Sequence, residues 1–232
     1  MKTLAKMLYA LLIKRINRRH YNQQNFRGYN ERPVEYGFVL AHMRDHVPEK
    51  VLDVGTGITA LPSIMRTCGA VVTAIDNVHD YWTKGMVNPH FHIIHDDITA
   101  SKLTAKFDLI TCISTPEHIT HYDMAVENMF QLLKPEGHLI ITCPYNEQDY
   151  CADVYKEPTS SELKKKHPFV TQAFSRENVT HWLGTNGGIL VEQQYWQFYT
   201  GRYWTEGERI QPPVSVEANH SHQITCLKLK KE

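Results

Sequence analysis

Five short apolar runs constrain this chain most: KVLDV from Lys50, AVVTAID from Ala70, FHIIHDD from Phe91, FDLITCIS from Phe107 and HLIITCPY from His138. They show little polar alternation, which is the pattern of strands buried on both faces. Stretches with helical spacing separate them. From Pro33 to His46 the residues Val34, Phe38, Val39 and Met43 recur on one side, and Pro48 ends the run. TALPSIMRTCG stops at Gly69, where a C-terminal glycine belongs, and Tyr122 to Leu133 runs into the break KPEG. Strands alternating with helices imply an α/β fold with a doubly wound, mostly parallel sheet. The tail adds ILVEQQYWQFYTGRYW and HQITCLKLK, two long strands expected to pair antiparallel at an edge.

Residues 144–174 break this rhythm with Pro144, Pro158 and Pro168, and read as an insertion or lid holding one short helix with a capping box from Thr159 to Glu162. Ser175 is expected to cap the following helix, with Phe174 and Val179 as its hydrophobic staple and its end near Gly184. The domain reading is a basic helical extension over 1–32 and one α/β domain over 33–232.

The chain has 232 residues, 42% hydrophobic and 22% charged, within the globular range, so disorder and collagen-like repeats are poor fits. No apolar run approaches the roughly 18 to 20 residues of a membrane span. The longest is Met7 to Ile13. Five scattered cysteines form no C-x-x-C pair and suit neither a disulfide framework nor a zinc site, which points to a reducing cytoplasm. The zero net charge is uneven: Lys2, Lys6, Lys14, Arg15, Arg18, Arg19 and Arg27 give residues 1–27 a charge of +7, and the remainder carries −7. An acidic body argues against a broad phosphate-binding surface on the main domain, so no nucleic-acid partner is expected, although the basic amino terminus leaves a local contact open. In the first segment Leu4, Met7, Leu8 and Leu11 share a helix face that Arg15 and Arg18 continue. It reads either as a packing or homodimerisation helix or as a peripheral contact with an anionic membrane surface.

In open α/β sheets ligands bind beyond the carboxyl ends of the strands. The first strand ends in Asp53, Gly55, Thr56 and Gly57, the second in Asp76 and Asn77, and the third in Asp96 and Asp97. The fourth leads into Ser114, Thr115, Pro116, Glu117 and His118. Gly55-x-Gly57-x-x-Ala60 also matches the dinucleotide fingerprint, with Asp76 about 20 residues on. Asp53 separates the readings: at the strand tip it repels a pyrophosphate and can hold an ammonium group. A ligand with a positive end fits better than NAD.

Here the sequence resembles the class I S-adenosylmethionine-dependent methyltransferases, over roughly residues 33 to 190. VLDVGTG is similar to that family's glycine-rich first motif, AIDN to its ribose-binding acid and HDDIT to its adenine-contacting segment. FDLITCISTPEHI resembles its fourth strand and loop, and LLKPEGHLIITCPY its fifth-strand motif. Thr59 stands where many members carry a third glycine, so the turn is expected to be tighter or its hydroxyl to cap the helix. The resemblance implies a seven-stranded Rossmann-like sheet with the last strand antiparallel, and S-adenosylmethionine as cofactor. Asp53 with the backbone of Gly55 and Gly57 would hold the methionine moiety, Asp76 the ribose and Asp97 the adenine. Thr56, Asn77, Ile98 and Ser114 complete the cofactor set. Asp96 is the rival to Asp97, because strand alternation lets only one of them reach the base.

His118 is the candidate general base for a hydroxyl acceptor, with Glu117 beside it; helix capping or cofactor contact is the alternative role for both. Tyr145, Asn146 and His167, together with Tyr155, are candidate acceptor-pocket residues. The aromatics Tyr195 to Trp204 could stack on a planar acceptor, but aromatics interleaved in a strand more often pack a core. Fourteen histidines invite a metal reading, yet ISTPEH lacks the acid-rich pattern of the metal-dependent branch, and no metal is expected. The expected activity is methyl transfer to a small-molecule hydroxyl, with a sugar or glycolipid as first candidate. Nitrogen or carbon methylation is the alternative, followed by an NAD-dependent oxidoreductase and a non-catalytic cofactor-binding module.

Overall fold

The central apolar runs become strands because their odd and even residues face different helices. In the computed structural model, which describes residues 2–26, 28–79, 82, 85–163, 165–167 and 169–232 (backbone only for 2 and 3), the central strands are β1 (Lys50–Val54), β4 (Phe107–Ile113) and β5 (Leu133–Pro144). Arg27 of the basic run and Pro168 of the insertion lie outside the described residues. Leu52, Val54, Ile110, Cys112, Leu139 and Ile141 enter one core with Val126, Met129 and Phe130 of α4 (Tyr122–Leu132) and Trp182 of α5 (Arg176–Asn186). Val51, Leu109, Ile113 and Ile140 enter the other, against Phe38, Val39 and Met43 of α2 (Arg32–His46) and Leu61 and Met65 of α3 (Leu61–Thr67). Two cores explain why these runs lack alternation.

The sheet order is β3-β2-β1-β4-β5-β8-β6-β7, with β2 at Val71–Asp76, β3 at Ile94–His95, β6 at Gly188–Tyr199, β7 at Arg209–Val216 and β8 at Ile224–Lys231. β3, β2, β1, β4 and β5 pair in parallel, and β8 lies antiparallel between β5 and β6. The expected antiparallel pairing of the two long tail strands is present, with Tyr195 opposite Thr225. Among the described residues the sheet has eight strands instead of seven. The additional one, β7, contains Pro212 and Pro213 and sits on the outer edge, and its pairing with β6 skips from Val214 to Arg209 across the prolines. Only Ile94 and His95 of the FHIIHDD run form strand.

Two further expectations are corrected. Thr159 to Glu162 is a turn and not a helix, because the Thr159 hydroxyl donates to Glu206 and Ser160 bridges to that residue. α5 passes through Gly184 to Asn186 and is stopped by Gly187 at φ 59. Its start is as expected, since Ser175 N–H and Oγ both donate to Asn178 Oδ1 and Val179 and Phe174 are buried. The chain divides into two units, Met1–Asn30 and Glu31–Glu232. The first holds α1 (Lys2–Asn22), whose Leu4, Met7, Leu8, Leu11 and Leu12 are exposed. Among the described residues no helix is long and apolar enough to cross a membrane.

Candidate active site

The carboxyl ends of β1, β2 and β4 open into one cleft of about 980 Å³, within the range of nucleotide-sized sites. Asp53, Gly55, Thr56, Gly57, Asp76, Asn77, Asp97, Ile98, Ser114 and His118 all line it. The turn after β1 depends on its glycines. Gly55 has φ 70, and a Cβ there would lie 2.0 Å from Thr115 Cγ2. Thr115 closes the turn by donating to the Gly55 carbonyl at 3.1 Å. Gly57 has φ 54, and its N–H donates to Asp76 Oδ2 at 2.7 Å. Thr59 caps nothing: the residue before α3 is Ala60, without a side-chain bond.

Among the described residues the acids are held by neutral donors: hydroxyls, backbone N–H groups, an indole and a side-chain amide. Asp53, 2% exposed, accepts from Thr111 Oγ1 at 2.6 Å and from Thr56 Oγ1 at 2.7 Å. Burial pushes its carboxyl up to about 6, a cost that a cationic ligand would offset. Asp76 also accepts from the Trp82 indole at 3.0 Å, and burial raises it too. Asp97 accepts from Thr99 N–H and Oγ1 and from Asn77 Nδ2 at 3.3 Å. Its rival Asp96 lines the cleft as well and accepts from Ser101 Oγ and the Lys102 N–H.

His118 Nδ1 lies 2.7 Å from the Val170 carbonyl, which can only accept, so Nδ1 carries the proton and the Nε2 lone pair is the basic one. Burial lowers its pKa and keeps the ring neutral near pH 7. Glu117 is not in the cleft. It is buried in a small neighbouring cavity, and burial raises its carboxyl well above the usual range. Tyr145, Asn146 and His167 also stand apart from the cleft lining. Tyr145 donates to Glu147 and packs on His222, Asn146 accepts from the N–H groups of Gln148 and Asp149, and His167 bonds Glu162. Phe198 and Tyr199 of the aromatic tail are buried with Ile224.

Four cleft or support residues were not anticipated: Arg32, Glu35, Tyr36 and Trp82. Glu35 is fully buried and accepts from Arg32 at 2.6 Å, Ser114 Oγ at 2.5 Å and Thr142 Oγ1 at 2.6 Å. Ser114 is held at φ 44 in the process, a conformation that non-glycine residues tolerate where the surroundings fix it. A usable signal was present: Glu35 shares the helix face of Phe38, Val39 and His42, a charge among core positions.

A family model described as a methyltransferase domain matches residues 21–206. The chain belongs to that methyltransferase family. Among curated relatives, it is 32% identical over 121 residues to a ubiquinone biosynthesis O-methyltransferase of Glaesserella parasuis, covering 47% of this chain and 51% of that one. The chain therefore spans about half the length of that relative. Among solved structures, it superposes on 1,6-didemethyltoxoflavin-N1-methyltransferase of Burkholderia thailandensis, bound to 1,6-didemethyltoxoflavin and S-adenosylhomocysteine. The TM-score is 0.57 at 15% identity, over 97% of this chain and 89% of that one. TehB of Haemophilus influenzae gives 0.55 at 15% identity, over 84% and 62%. The fold is the Rossmann-like fold of the S-adenosylmethionine-dependent methyltransferases. The residues present fit that methyl donor: an acid for an ammonium, an acid for a diol, two positive-φ glycines between them and a cleft of sufficient volume.

Proposed function

We propose that the protein transfers the methyl group of S-adenosylmethionine to a hydroxyl of a small acceptor, with His118 as the general base. When bound, the donor supplies an electrophilic methyl carbon on a sulfonium. Asp53 would hold its ammonium, Asp76 with Asn77 its ribose, and Asp97 with Ile98 its adenine, while Thr56, Ser114 and the glycine turn shape the cleft. The observation that carries the reaction type is the His118 tautomer: with Nδ1 donating to Val170, Nε2 can accept the hydroxyl proton as the oxygen attacks. The relatives, named as O-methyltransferases of ubiquinone biosynthesis, support oxygen as the acceptor atom and give no support to the sugar or glycolipid expected from the sequence. His118→Ala is expected to lower turnover by about two to four orders of magnitude while leaving S-adenosylhomocysteine affinity unchanged. Unchanged turnover in a labelled-donor assay would remove His118 as the base.

The first segment suits a peripheral contact with an anionic membrane surface: α1 exposes Leu4, Met7, Leu8, Leu11 and Leu12 ahead of Lys14, Arg15, Arg18 and Arg19, with no acid. Deleting residues 1–27 is expected to abolish co-sedimentation with anionic vesicles. Equal sedimentation of both forms would overturn this role.

A further inference from the structure

Beside the cleft lies a second cavity of about 120 Å³, and Arg32, Ser114 and His118 belong to the walls of both. Its remaining wall includes Glu31, Glu117, Tyr155 and Thr171. Acid outweighs base there, because the Arg32 guanidinium is salt-bridged to Glu35 at 2.6 Å. Glu117 is 4% exposed and its Oε2 has no hydrogen-bond partner among the described residues; Thr171 Oγ1 is buried nearby, against the Tyr155 phenol. A buried carboxyl oxygen left without a partner is costly unless a ligand with an N–H donor completes it.

We propose that this cavity binds a protonated amine of the acceptor, so that the substrate is a hydroxyl compound that also carries an ammonium group. The reading rests on the proposed methyl transfer for the position of the hydroxyl, which meets His118 from the cleft side. The amine reaches Glu117 from the other side of the same residue. An ammonium offers three donors to a pocket where Glu117 Oε2 lacks one and the Thr171 hydroxyl oxygen can accept another. It also matches the charge: Glu31 would repel an anion, and an ammonium would draw the Glu117 carboxyl, which burial raises, into its ionised form, as a neutral alcohol would not.

The test is an amide NMR titration of the full chain, with and without saturating S-adenosylhomocysteine, using ethylammonium chloride, ethanol and sodium acetate at matched ionic strength. Saturable shifts at Glu117, His118, Thr171 and Gln172 are expected for ethylammonium alone. In Glu117→Gln its dissociation constant should rise by at least about tenfold, with a smaller rise in Thr171→Val. No saturable response to ethylammonium, an equal response to ethanol or acetate, or an unchanged constant in Glu117→Gln would overturn the proposal. Failure of the methyl-transfer reading would appear separately, as absence of S-adenosylhomocysteine binding in the same samples.

Discussion

At the residue scale, Asp53 shows how a functional group opposes stability. Its side chain points to a buried strand tip where two threonine hydroxyls are its hydrogen-bond donors, and burial lifts its pKa from 3.8 to about 6. A raised carboxyl favours the folded protein while it is protonated, so that contribution is full below pH 3.8 and is lost as pH rises through about 6. Two pKa units correspond to about 3 kcal/mol, so Asp53→Asn is expected to stabilise the ligand-free protein at pH 7.5 by about 1 to 3 kcal/mol in urea unfolding. Loss of stability in that variant would show that the carboxylate is already compensated. Asp53, Gly55 and Asp76 were legible because strand tips can be located from local pattern alone. Glu35 reads only as a helix residue, because two of its three partners, Ser114 and Thr142, are 79 and 107 residues away, and Trp82 meets Asp76 from a stretch with no periodicity. The threonines inside ITC at 111 and 142 were the overlooked trace, each serving a buried acid.

At the element scale, α2 carries two polar side chains on its core face. Glu35 goes to the site, and His42 packs against His46 and against His138 of β5 with ring centroids 4.4 and 4.7 Å away. Both ring nitrogens of His42 are buried without partners. Burial, the neighbouring imidazoles and Lys228 of β8 lower His42 to about 3 and His138 to about 4, against Asp45 and Glu136 acting the other way. Depressed histidines favour the folded state above pH 6.5 and lose that contribution as pH falls toward 3 to 4, because the unfolded chain takes up protons first. His42→Leu is therefore expected to stabilise the protein by about 1 to 3 kcal/mol and to flatten its loss of stability between pH 6.5 and 4.5. An unaltered pH profile would contradict this. The helix starts show the limit of local signals. The Ser175 signal sets a cap because nothing competes for its hydroxyl. Thr159 has a similar pattern but is drawn to Glu206, 47 residues on. β7 was hidden by its prolines, which only an edge position accommodates.

At the scale of the whole molecule, the β-α alternation was enough to give the sheet and to place the acids at one end of it, since parallel strands deliver every carboxyl terminus to the same side. The order of the tail was less accessible, because β8 enters between β5 and β6 from the end of the chain and brings Thr225 against both Cys143 and Tyr195. All of the proposed chemistry depends on whether the acidic cleft takes an adenosyl amino acid with its ammonium at Asp53. Titration calorimetry with S-adenosylhomocysteine at pH 7.5 on the wild type and on Asp53→Asn measures this most directly. The account predicts saturable one-to-one binding by the wild type, weakened by at least about 100-fold in the variant. A wild type that takes up no S-adenosylhomocysteine at millimolar concentration, or a variant that binds it as tightly, would contradict it.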